Sequence, residues 1–112
     1  MLLQEGVTAM NRADNRREPS LPTARGIRRT CSRELYRARK KLNQWIAPEL
    51  VAEAEKIYFK KVALNLLWIA ENSSNRKKLC DWWEEQVCGE IAELWKIEPA
   101  VLARAFRESF GG

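Results

Sequence analysis

The 112-residue chain has no histidine, only three cysteines, and few chain breakers, with five glycines and four prolines. Without histidine, triad hydrolysis and the usual zinc sites lose their commonest base and ligand. No nucleophile-and-base pair or ligand cluster can be assembled from what remains, so neither an enzyme nor a cofactor or metal is expected. Cys31, Cys80 and Cys88 form no disulfide or metal spacing. On one helix, Cys80 and Cys88 would stand about 12 Å apart along the axis, too far for a bridge. They read as small apolar side chains in a reducing, cytoplasmic setting. Long apolar runs are also missing. The longest, residues 62–70, spans nine residues and contains Asn65, about half of the roughly 18 needed to cross a bilayer. The start, MLLQEGVTAM, lacks a secretory leader, and no membrane association is expected. The length fits one domain with a modest core.

What is present is unevenly distributed. The formal net charge is +5 overall, but residues 1–42 carry eleven basic side chains against four acidic ones, and residues 43–112 carry nine against eleven. A basic arm joined to a mildly acidic body often marks a tail that binds nucleic acid or an anionic membrane. Residues 11–30 are rich in charge, with Pro19, Pro22 and Gly26 among few apolar side chains. Such a stretch buries too little surface to offset its ordering entropy, so residues 1–31 are expected to form a disordered basic arm before a helical domain over residues 32–112.

From Ser32 the pattern becomes helical. Leu35, Ala38, Leu42, Trp45 and Ile46 share one stripe, and Arg33, Arg37, Lys40 and Lys41 lie off it. Pro48 disfavours helix at Ala47 and suits the first turn of a second helix, whose second half, VALNLLWIA, is apolar around most of its circumference. Such a helix is central to its domain or closes an oligomer. The run Asn72-Ser73-Ser74-Asn75 supplies a stop and a new N-cap. The next helix carries Leu79, Trp82 or Trp83, Val87, Ile91 and Leu94 or Trp95 at helical spacing; Gly89 inside it either weakens one helix of about twenty residues or splits it, and an interior glycine often marks a close backbone contact. A last helix starts at Pro99. The expectation is therefore an all-α bundle of about four helices, near residues 32–46, 48–71, 75–95 and 99–109, behind a flexible basic arm.

Three constellations bear on function. The stretch from Arg25 to Lys41 holds Arg25, Arg28, Arg29, Arg33, Arg37, Arg39, Lys40 and Lys41 against Glu34 alone, with Tyr36 interleaved. It could grip phosphates with little sequence preference, form a solvated arm, or meet an acidic protein or a membrane, and the first is the reading taken. Trp82 and Trp83 are adjacent and so point about 100° apart on a helix, too wide for one narrow buried face. Each reads as a core residue on composition alone, but one member of the pair is left for the surface, where stacking on unpaired bases is one use and, beside Glu84 and Glu85, a protein interface the favoured one.

The third constellation is CGEIAELWKIEPAVLARAFR, which resembles a helix-turn-helix DNA-binding motif. Ile91-Ala92 match the apolar-Ala pair of the first helix, Lys96-Ile97 the turn and its apolar plug, and Leu102, Ala105 and Phe106 the buried side of the second helix. The tail also looks like the second helix of AraC-type regulators. The chain departs from the family pattern at the turn, where Lys96 stands in place of the usual glycine and can adopt a left-handed conformation only at a cost of about 1 kcal/mol. The resemblance implies that Glu98, Pro99, Ala100, Ala103, Arg104 and Arg107 face the groove, of which only the two arginines suit base or phosphate contact. Residues 81–112 carry a net charge of −4, so the basic arm would have to hold the phosphates.

Two functions follow as expectations. The first is a small non-enzymatic nucleic-acid-binding regulator that grips phosphates through Arg25 to Lys41 and makes closer contacts through Arg104 and Arg107. The second is a helical adaptor, or a small subunit of a protein or ribonucleoprotein assembly, that docks through Trp82 and Trp83. Either admits a protein partner or a homo-oligomer.

Overall fold

The computed structural model describes residues 21–112 and consists, among them, of helices and short joints only: α1 Ala24–Leu42, α2 Pro48–Leu64, α3 Leu66–Glu71, α4 Arg76–Gln86, α5 Cys88–Trp95 and α6 Pro99–Phe110. The all-helical class is as expected, but six helices replace four. Most of the proposed arm, residues 1–20, lies outside the described residues.

The first correction concerns where the helical region begins. It starts at Ala24, eight residues before Ser32, because Thr23 caps the helix, its Oγ1 accepting from the Gly26 N–H at 3.1 Å. Ile27 and Cys31 then extend the buried stripe of Leu35 and Ala38 backward by two turns. Gly26 and the dense charge masked this periodicity. α1 ends at Asn43, whose left-handed backbone (φ 53°) lets its N–H reach the Arg39 carbonyl. Arg39, Lys40 and Lys41 occupy the last turn, where the helix dipole favours cations.

The two long helices each break once, and asparagine accounts for the first break. Asn65 turns its side-chain amide onto the Lys61 carbonyl at 2.9 Å, and its own N–H goes to Val62, so the α-helical ladder is interrupted between α2 and α3. Asn72 repeats the device on the Trp68 carbonyl at 2.8 Å and ends α3. Asn75 then caps α4, accepting from the Lys78 N–H. The second break falls at Val87 (φ −116°), which is fully buried. Gly89 lies just beyond it in α5, exposed, with no atom within 4 Å of where a Cβ would stand. The helix is thus split, as one of the two alternatives at Gly89 had it, but two residues before the glycine, which makes no close contact.

The core is built around α6, whose most extensive packing is along α1. Trp83 of α4 stacks on Phe106 of α6 with centroids 3.9 Å apart and planes 4° from parallel, and Tyr58 of α2 meets both rings edge-on. Leu35, Val87, Ile91 and Leu102 close around them. Trp95 donates its indole N–H to the Leu50 carbonyl at 3.0 Å, tying α5 to α2. All three cysteines are free and buried, in keeping with the apolar role read from their spacing. Burial pushes the Cys31 thiol up to about 12 and the Cys88 thiol up to about 11. No described helix is long and apolar enough to cross a membrane.

Candidate nucleic-acid interface

Because α1 buries the stripe Ile27, Cys31, Leu35 and Ala38, its opposite side is left to solvent, and the sequence fills that side with cations. Arg25, Arg28, Arg29, Arg33, Arg37, Lys40 and Lys41 are all exposed. At about 100° per residue, Arg25, Arg29, Arg33 and Lys40 line one ridge directly opposite the buried stripe, with Arg37 beside it. Consecutive members of the Arg25, Arg29, Arg33 series rise by about 6 Å, and the whole helix extends about 28 Å. Arg28 and Lys41 flank the ridge, the Arg28 guanidinium lying 4.7 Å from the centre of the Phe59 ring. Among the described residues none of these seven side chains lies within 4.0 Å of a carboxylate oxygen.

Glu34, the one acid of α1, does not neutralise the ridge. It is turned inward and half-buried, accepting a short hydrogen bond from the Tyr58 hydroxyl. Burial raises the Glu34 carboxyl above its ordinary value, although the Tyr58 hydrogen bond and the charges of Arg33, Arg76 and Arg37 oppose this. The same burial, with the Glu34 charge, raises Tyr58.

At the C-terminal end of the ridge the surface becomes aromatic and concave. Tyr36 is 51% exposed, with Lys40 Nζ 5.5 Å and the Arg39 guanidinium 5.6 Å from its ring centre. Trp45 is 79% exposed and borders an open cavity of about 650 Å³ between the end of α1 and the start of α2. The stripe reading put Trp45 on a buried helix face. Since α1 stops at Leu42, Trp45 falls in the joint and only its neighbour Ile46 turns inward. An early helix stop at Asn43, a residue suited to the left-handed cap, was the available signal.

α5 and α6 are joined by a tight left-handed turn at Lys96. Lys96 is left-handed (φ 58°, ψ 48°), the Ile97 N–H reaches the Ala92 carbonyl at 2.9 Å, and the Lys96 N–H reaches Glu93 at 3.3 Å, a Schellman closure. The groove-facing side differs from the expectation. Ala103 is buried at 7% exposure, and Arg107 is clamped by Asp81 at 2.8 Å and Glu84 at 3.0 Å. These hydrogen bonds raise Arg107 and lower Asp81 from their ordinary values. Arg104 is exposed beside Ala100, Val101 and Glu108. The two arginines expected to act together are thus in different states, Arg104 exposed with no carboxylate partner among the described residues and Arg107 paired at the surface with Asp81 and Glu84.

The tryptophan pair also divides. Trp83 is 1% exposed at the centre of the core and has no surface to offer a partner, and Trp82 is half-buried. Exposed large apolar side chains lie elsewhere, at Leu21, Tyr36, Trp45 and Val101 and in the group Leu64, Leu67 and Trp68 around the α2–α3 break. Compared with protein-family models, curated proteins and solved structures, the chain matches none.

Proposed function

We propose that this protein binds nucleic acid through the exposed cationic ridge of α1, without catalysis. One observation carries the reading: seven exposed basic side chains share α1 and, among the described residues, make no ion pair. Ordinarily a surface of mixed charge offsets such a concentration, and here the one acid of the helix faces the core. A polyanion would relieve the mutual repulsion and release its own condensed counterions. The ridge holds backbone phosphates and carries little sequence information.

In this reading α6 is secondary. The Lys96 turn and the exposed Arg104 support a helix-turn-helix-like contact, but Arg107 would have to leave two carboxylates to join it. The test is binding of a labelled oligonucleotide to the full chain, followed by fluorescence anisotropy. If about five phosphates are neutralised, the apparent affinity falls by roughly 10² to 10³ between 50 and 200 mM salt. Absence of binding at 50 mM, or binding indifferent to salt, would remove the proposal.

A second reading, an adaptor in a larger assembly, is favoured by the exposure of Leu64 at 72% and Leu67 at 65% beside Trp68. It moves the docking surface from the Trp82–Trp83 pair to the α2–α3 break. Copurification of a stoichiometric partner that is lost with Leu64→Asp and Leu67→Asp would favour it.

A further inference from the structure

We infer that the cavity at the α1–α2 joint is a subsite for an unpaired nucleobase, so that the preferred ligand of the ridge is single-stranded rather than duplex nucleic acid. This inference rests on the nucleic-acid reading above and adds the class of ligand. Four observations at one place support it. Trp45 presents 79% of its surface to solvent at the cavity rim, where a core tryptophan would be buried. The cavity is lined by Arg39, Lys40, Asn43, Gln44, Trp45 and Glu55, a set that combines a stacking surface, two cations, two amides and one carboxylate. Arg39 forms part of the wall, and its Nε, enclosed by the protein, has no hydrogen-bond partner among the described residues. Lys40 belongs both to the ridge and to the cavity, which makes the two surfaces continuous.

The chemistry of these groups selects the ligand. An indole face stacks on any base, but a base inside a duplex already has both faces covered, so only an unpaired base can reach Trp45. Asn43 and Gln44 each offer a donor and an acceptor to a base edge, and Glu55 accepts from an exocyclic amine. Arg39 and Lys40 suit the phosphate linked to that base. The volume, about 650 Å³, lies within the range of small-ligand clefts. Further along the ridge, Arg33, Arg29 and Arg25 continue the cationic track at about 6 Å steps for the flanking phosphates.

The test uses the full chain with labelled oligouridine, oligodeoxythymidine and a DNA duplex of equal length at about 50 mM salt. Trp45→Ala is expected to weaken single-strand binding roughly ten-fold and to leave duplex binding unchanged, and Trp45→Phe is expected to retain most of the affinity. Trp68→Ala, at another exposed tryptophan, is expected to change neither. Because Trp45 is exposed, circular dichroism of the variant should match the wild type. Single-strand binding that survives Trp45→Ala, or that falls no further than duplex binding, overturns the subsite while leaving the ridge intact. A wild-type chain that binds none of the three overturns both readings. A loss confined to the single strands, whether ribose or deoxyribose, upholds the inference.

Discussion

The exposed side of α1 and the α5–α6 unit both display arginine, yet their surroundings are opposite. On α1 the guanidinium groups stand in a row, and the only acid of the helix, Glu34, is drawn inward by Tyr58. In the C-terminal unit Arg107 sits between Asp81 and Glu84, and Arg104 shares its face with Glu108. The same residue type is left available in one region and is used as an internal tie in the other. A motif match therefore says less about binding than the carboxylates standing near each cation. In the α5–α6 turn Lys96 and Glu98 are exposed and Ile97 is half-buried, while α6 buries Leu102, Ala103, Ala105 and Phe106 and packs most extensively along α1.

Several substitutions would break or sharpen this contrast. The largest effect is expected from Trp83→Ala, which removes the ring stacked on Phe106 and should cost about 3–5 kcal/mol in chemical denaturation. Trp83→Phe should cost much less, since the indole N–H has no partner among the described residues to lose. The exposed Trp45→Ala should leave stability nearly unchanged. Next in size, Lys96→Gly relieves a left-handed lysine and is expected to stabilise by about 1 kcal/mol without altering oligonucleotide affinity. A fall in stability would mean that the turn is held by something other than its backbone. Gly89→Ala, in open space within α5, should add about 0.5–1 kcal/mol in thermal or urea unfolding.

The smallest effect concerns Glu34, and its sign can be stated. Its folded carboxyl is raised above the ordinary value near 4.5, so the unfolded chain loses this proton first as pH rises. The wild type therefore gains least from this residue at neutral pH, and its favourable contribution is fully present only below that ordinary value. Glu34→Gln, which cannot ionise, should gain on the wild type as urea unfolding is moved from pH 4 to pH 7. Oligonucleotide affinity should rise little, because the carboxylate faces Tyr58. A strong rise in affinity would show that Glu34 had been screening the ridge.

Much of the fold was legible in the chain because helices announce themselves through periodicity. Pro48 and Pro99 mark the first turns of α2 and α6 as expected, and Asn75 caps α4. The breaks at Asn65 and Val87 were not legible. The first depends on a side-chain amide taking a backbone carbonyl, a choice any helical asparagine can make or decline, and the second occurs at a β-branched residue with no turn chemistry of its own. The start of α1 was obscured because eight cations on one helix lower its mean apolarity although four buried residues still keep the register. Of the candidate site, the cations were legible and their pairing was not. Arg104 and Arg107 are three residues apart on one helix, and only the position of α4 distinguishes them. Trp45 likewise depended on a helix ending one turn early.

The central claim is that α1, rather than α6, carries the contact with nucleic acid. It is tested most directly by measuring the oligonucleotide affinity of two variants beside the wild type at about 50 mM salt, with matched circular dichroism. One variant replaces Arg29, Arg33 and Arg37 by Gln, and the other replaces Arg104 and Arg107 by Ala. The α1 variant is expected to lose roughly 10²-fold in affinity and to flatten the salt slope by about two to three, at about one per phosphate contact, and the α6 variant to stay within about two-fold of the wild type. A normal affinity in the α1 variant together with a collapse in the α6 variant would contradict it.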